Sequence, residues 1–203
     1  MKLHTCLAVA TAFLYVLTAQ ADTIAPEPEP GLWRRESVTL VNGQNMQLAI
    51  HNAQQQMLET LPPERRQMME SMMNPGGDPG VEMECISPQM AEDLTDPEAL
   101  VRRVREDMPD CSMAINRVSG STLAIAGSCA GSEGYAGEMQ GELTLVSSRE
   151  MRSHFTGNGT MQMDAEQVPP ALQGMAGNQP VVIENTEVST WLSDDCADLE
   201  PRR

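Results

Sequence analysis

Apolar and polar positions change period several times along this chain, and each change marks an element. Residues 31–41 (GLWRRESVTLV) alternate with period two, which predicts a strand, and Leu32 and Trp33 anchor its start. In NMQLAIHNAQQQMLETL the period lengthens: Met46, Ile50, Met57 and Leu58 fall at near-helical spacing. Pro62-Pro63 break this helix, and Pro63 suits the first turn of a second one, running through ERRQMMESMM. Residues 74–80 (NPGGDPG) are a loop of strong breakers. The pattern predicts an αα-hairpin inserted between strands.

Residues 81–86 (VEMECI) read as a second strand. Ser87-Pro88 then sets a capping side chain ahead of a proline, predicting a short helix to about Leu94. Thr95-Asp96-Pro97-Glu98 repeats the device, with an acid near the positive end of the helix, and ALVRRVRED continues it. From Cys111 the period is two. CSMAINRV, TLAIAGSC, YAGEMQGELTLV, EMRSHFTGNGTMQM and VVIENTEVSTWL are strand-like runs, with residues 164–180 as a longer loop before the last. Asn158-Gly159, inside a glycosylation sequon, reads as a turn or bulge. Sequential strands joined by short turns predict an α+β domain. Its sheet is an antiparallel β-meander able to curl into a half-barrel, with the helical hairpin and short helices on one face.

The N-terminus follows a different logic. Lys2 precedes an apolar run from Cys6 to Leu17, and Ala19-Gln20-Ala21 supplies a small-x-small cleavage pattern. Residues 1–21 are expected to be a secretory signal peptide, cut between Ala21 and Asp22. Residues 22–30 (DTIAPEPEP) are a Pro-rich lead-in, 31–197 a single domain, and 198–203 a disordered tail. The apolar run is too short to cross a bilayer and no later stretch approaches that length, so a chain that does not span the membrane is expected. The expected address is the periplasm of a Gram-negative bacterium.

Composition narrows the role. A formal charge of −16 argues against nucleic acid, whose phosphates need a basic surface. Aromatics are scarce and methionines number 16. An interior of Met, Leu, Val and Ala adapts easily but specifies its packing weakly. Disulfides then weigh more, at about 2–4 kcal/mol each.

Cys6 leaves with the signal, so four cysteines remain in an oxidising compartment. Ser119-Gly120-Ser121 lies at the centre of CSMAINRVSGSTLAIAGSC. A three-residue loop that sets Val118 opposite Thr122 also sets Cys111 opposite Cys129, within disulfide reach. Cys85 and Cys196 are left for each other. No CxxC exists, and the long spacings favour structural bridges over a redox or metal site.

Several features in order make the chain similar to a known family. These are Pro30-Gly31-Leu32-Trp33, the segment LPPERRQMMESMM, the stretch CISPQMAEDL, the cysteine hairpin from Asp110 to Cys129, and the closing WLSDDC from Trp191 to Cys196. Over about residues 30–196 the chain resembles the bacterial exported proteins grouped as domain of unknown function 3617 (DUF3617). It departs from them at Arg34-Arg35, where members often carry an acid. It departs again at Ser193-Asp194-Asp195, where they often show a glycine-rich run. The resemblance implies export, the cysteine framework and the fold, and it brings no activity.

Candidate chemistry is sparse. Met68, Met69, Met72 and Met73 stand at helical spacing, and soft thioethers suit Cu(I). The ordinary reading is the apolar stripe of an amphipathic helix, or an adaptable contact surface. Met161-Gln162-Met163 adds a possible strand pair. The acids at Glu82, Glu84, Glu92, Asp93, Asp194, Asp195, Asp198 and Glu200 match no calcium loop. His51 and His154 lie alone on their elements, and no nucleophile or P-loop motif occurs. No catalytic residue and no cofactor is expected. The expected role is non-catalytic: binding a small apolar ligand or a protein partner through the Met-rich hairpin and the sheet face. The rivals are a periplasmic Cu(I)-binding protein and an enzyme of unrecognised type.

Overall fold

The computed structural model describes residues 23–73, 78–131, 134–163 and 177–202. Residues 1–21, expected as a signal peptide, the expected cleavage position at Ala21-Asp22 and residues 164–176 lie outside these. The elements run β1 (Gly31–Val41), β2 (Gln44–Asn45), α1 (Met46–Thr60), α2 (Pro63–Met73), β3 (Val81–Ile86), α3 (Pro88–Asp93) and α4 (Pro97–Asp107). There follow β4 (Cys111–Arg117), β5 (Thr122–Ala130), β6 (Tyr135–Ser147), β7 (Glu150–Met163), β8 (Gly177–Ser193) and β9 (Pro201–Arg202). Strands β4 to β8 form an antiparallel meander. β1 lies against β8 and carries β3 on its other side, so the spatial order is β4-β5-β6-β7-β8-β1-β3-β9. The expected α+β architecture, a mostly antiparallel open sheet with a few short helices, is the observed one.

Successive side chains alternate across a strand, so the registers assign every strand residue to a face. Trp33, Arg35, Ser37, Thr39 and Val41 share a face with Trp191, Ser189, Glu187, Asn185 and Ile183. That face continues through Met151, Ser153, Phe155 and Gly157 on β7. It passes Leu145, Leu143, Gly141 and Met139 on β6, then Leu123, Ile125 and Gly127 on β5. It ends at Ile115 and Met113 on β4.

Helices α1, α3 and α4 pack on this face, over two separate cores. The larger joins Trp33, Ile86, Leu123, Leu145 and Met151 of the sheet to Ala91 of α3, Leu94 at its C-cap and Leu100 of α4. Both helices start where the capping residues require, with Ser87 Oγ accepting from Met90 N–H at 3.1 Å and Asp96 Oδ1 from Glu98 N–H at 2.9 Å. The lead-in closes this core: Ile24 is buried within it, and its N–H donates to Thr95 C=O at 2.9 Å. Trp33 is fully buried and its indole N–H reaches Glu29 C=O at 2.9 Å. The smaller core sits under α1, with Val41 and Val181 buried and Met46, Ala49, Tyr135, Met161 and Ile183 packed around them.

Three expectations are corrected. Asn158-Gly159 is neither turn nor bulge; it lies inside β7, paired in continuous register with Glu138-Gly137 of β6 and Val182-Val181 of β8. A strand with a neighbour on each side satisfies its backbone groups without bending. β8 begins at Gly177, so it takes up residues 177–180 of the expected loop. Pro201–Arg202 do not fray; they pair in parallel with Cys85-Ile86 of β3. The link from Cys196 to Cys85 brings the chain end to that edge. One turn went unread: Asn42-Gly43, with φ of 50° and 81°, folds β1 back onto β2.

The cysteines lie in two pairs. Cys111 and Cys129 face each other in the β4–β5 register with Cα atoms 4.0 Å apart. Cys85 and Cys196 have Cα atoms 5.4 Å apart and close 111 residues of chain.

Candidate functional site

Between the two cores the helix-bearing face of the sheet carries a different composition. Three glycines face inward here, and large side chains oppose them. Met113 faces Gly127, which faces Met139, which faces Gly157. One row along, Ile125 faces Gly141 and Gly141 faces Phe155. A Cβ at Gly141 would lie 2.3 Å from the Phe155 ring, and one at Gly127 would lie 2.4 Å from the Met113 sulfur. The glycines are thus the floor on which these side chains lie. Met113, Ile125, Met139, Leu143 and Phe155 are only half-buried, although every one points toward the helix side. Met113, Met139 and Phe155 belong to neither core. Among the described residues, this stretch is an apolar floor that the helices leave partly open.

A polar group borders the floor. Arg35, Glu84, Ser153 and Glu187 line a small cleft of about 120 Å³ with Leu143 and Met151 on its apolar side. Arg35 reaches the Glu82 carboxylate with one terminal nitrogen, and its Nε lies 3.8 Å from Glu187. Burial pulls the Arg35 guanidinium down, but the hydrogen bond to Glu82 and the charges of Glu187 and Glu84 more than offset this, so its pKa is raised. Ser189, buried one step along β8, turns its hydroxyl to Glu187 at 3.3 Å. Further down the same face, Gln47 of α1 holds Thr39 twice at 2.9 Å, and Asn185 donates to Thr39 Oγ1 at 2.9 Å. That network fastens α1 across the neighbouring stretch and leaves the Met139–Phe155 floor alone.

The helical hairpin is held at its bend. Arg66 of α2 donates from Nε to Leu58 C=O at 2.9 Å and from Nη2 to Glu59 C=O at 3.1 Å, capping the negative end of α1. Leu48, Ile50, Met57 and Met68 are exposed on the pair. Met69 is half-buried, and the side chains of Met72 and Met73 lie outside the described residues. Met161 packs on the smaller core.

The acidic candidates do not converge. Glu92, Asp194, Asp195, Asp198 and Glu200 are exposed, and among the described residues no group of three or more His, Cys, Asp or Glu could hold a metal ion. Asp93 instead pairs with Arg103 at 2.5 Å and so ties α3 to α4. His154 lies on the opposite, polar face beside Thr186 at 3.3 Å. Sequence reading missed Arg35, Ser153 and Glu187 as a set, because they come from three strands far apart in the chain. The half-buried Gly-Met-Phe floor had one legible trace: the glycines recur at odd positions, Gly137 and Gly141 in β6 and Gly157 and Gly159 in β7.

No helix of the described residues is long and apolar enough to cross a membrane. A family model described as "Protein of unknown function (DUF3617)" matches residues 28–196, most of the chain. No curated protein and no solved structure matches it.

Proposed function

The chain belongs to the DUF3617 family, and from that premise we propose that it is a non-catalytic periplasmic binding protein for a small apolar molecule. The ligand lies on the open stretch of the helix-bearing face, with Ile125, Met139 and Phe155 beneath it and the α1–α2 hairpin beside it. One observation carries this reading: apolar side chains on the covered side of the sheet remain half-buried between two finished cores. Folding has brought them out of the outer polar surface without completing their burial, and a ligand would complete it. Pockets of this type are mostly apolar with a few polar groups at one end, which matches the Arg35–Glu187 border. Methionine suits such a floor because it repacks around varied shapes. Export fits the paired cysteines and the N-terminal signal pattern.

The test uses the neutral probe N-phenyl-1-naphthylamine and the mature protein. Its fluorescence should rise saturably on binding. Met139→Asp should weaken binding by about ten-fold or more, since it places a charge in the floor. Gln140→Asp, one residue along and on the opposite face, should leave binding unchanged. Equal effects from the two variants, or no saturable binding, would overturn the assignment.

A further inference from the structure

We infer that the cleft bordering the apolar floor selects amphiphiles with a cationic or hydrogen-bond-donating head over those with an anionic head. The inference rests on the binding role proposed above and adds the chemistry of the ligand's polar end. The small cleft beside Leu143 and Met151 has room for a head group, while the chain of an amphiphile would lie along Ile125, Met139 and Phe155. Arg152 also lines the cleft, but by register its side chain belongs to the opposite face, where it pairs with Glu150 at 2.6 Å; the polar wall therefore sets two carboxylates, Glu84 and Glu187, against the guanidinium of Arg35. That guanidinium is already engaged, hydrogen-bonded to Glu82 and 3.8 Å from Glu187. A carboxylate or phosphate head would have to displace one of these acids from Arg35 and then sit beside the other. Like charges at such range repel strongly in a partly buried site. An ammonium or hydroxyl head meets acceptors on three sides instead: Glu84, Glu187 and the Ser153 hydroxyl. The formal charge of −16 acts in the same direction at longer range.

The experiment compares three ligands of equal chain length, decylamine, decanol and decanoate, as competitors of N-phenyl-1-naphthylamine at low salt and below micelle formation. Decylamine should displace the probe at a concentration about ten-fold or more below decanoate, with decanol between them. Glu187→Gln should narrow that gap several-fold, whereas Glu142→Gln on the opposite face should leave it intact. Displacement that ignores the head group, or favours decanoate, overturns the inference while leaving the binding role standing. A gap narrowed equally by Glu142→Gln also overturns it, because net charge rather than the cleft would then be selecting. No displacement by any of the three would sink the binding role and the inference together.

Discussion

Removing the two cysteine pairs separately should cost unequal amounts of stability, in an order fixed by chain length. Cys85 and Cys196 are separated by 111 residues, Cys111 and Cys129 by 18. On the chain-entropy model a cross-link closing the longer loop stabilises by about 4.8 kcal/mol at 25 °C, and the shorter by about 3.2 kcal/mol. The shorter loop is nested in the longer, which trims the longer's effective length and its contribution by only about 0.2 kcal/mol. Native contacts widen the gap. Cys85 is buried at 2% exposure, and its partner leads into the Pro201–Arg202 strand that pairs with β3. The Cys111–Cys129 link joins two strands that remain paired along their length without it. Urea unfolding of the Cys85→Ser/Cys196→Ser and Cys111→Ser/Cys129→Ser variants measures both costs. The first pair should lose about 1.5 kcal/mol more than the second, and its m-value should rise more as the unfolded chain expands. Equal losses, or a larger loss at Cys111/Cys129, would refute the reasoning and place the stabilisation in local packing.

Three other outcomes follow from named contacts. Gly141→Val should destabilise by about 1–3 kcal/mol, because its Cβ would lie 2.3 Å from both His154 C=O and the Phe155 ring; Gly120→Ala, with open space around it, should be near neutral in the same melt. Asp93 has its pKa lowered below the ordinary 3.8, first by the Gln89 hydrogen bond and then by Arg103. The stability this contributes is present above pH 3.8 and lost as pH falls through the lower folded-state value, so the deficit of Asp93→Asn in thermal melts should be constant near neutrality and shrink in that acid range. If the hairpin methionines are a contact surface, Cu(I) titration should reveal no micromolar or tighter site, and Met→Leu changes at Met68, Met69, Met72 and Met73 should leave the titration unaltered.

Much of the fold could be read from local chemistry. Pro62-Pro63, Ser87-Pro88 and Asp96-Pro97 each constrain a backbone angle and supply or remove a specific hydrogen bond, so they fix helix starts without tertiary help. Ser119-Gly120-Ser121 fixed the cysteine register for the same reason. The two Asn-Gly pairs show where local reasoning stops. Asn42-Gly43 turns the chain and Asn158-Gly159 does not, although the dipeptide is identical. What separates them is non-local: β7 is paired on both sides, and Gly159 is held small because a Cβ there would lie 2.2 Å from Ala136 C=O. The place of β1 between β8 and β3 was equally unreadable, since it depends on non-local pairings, the one with β8 across more than a hundred residues and the one with β3 across the whole helical insertion. The candidate site inherits that limit. Its polar border draws Arg35, Glu84, Ser153 and Glu187 from four strands, and no spacing in the sequence announces them.

The abundance of methionine offers the most direct test of the central claim. Methyl NMR of the 13C-methionine-labelled mature protein, titrated with N-phenyl-1-naphthylamine, reads each surface separately. Met113 and Met139 report the open floor, Met57 and Met68 the exposed hairpin, and Met83 the outer surface of the sheet. Saturable shifts at Met113 and Met139, with Met57, Met68 and Met83 still, are the predicted result. Shifts confined to Met57 and Met68, or none at all, would contradict it.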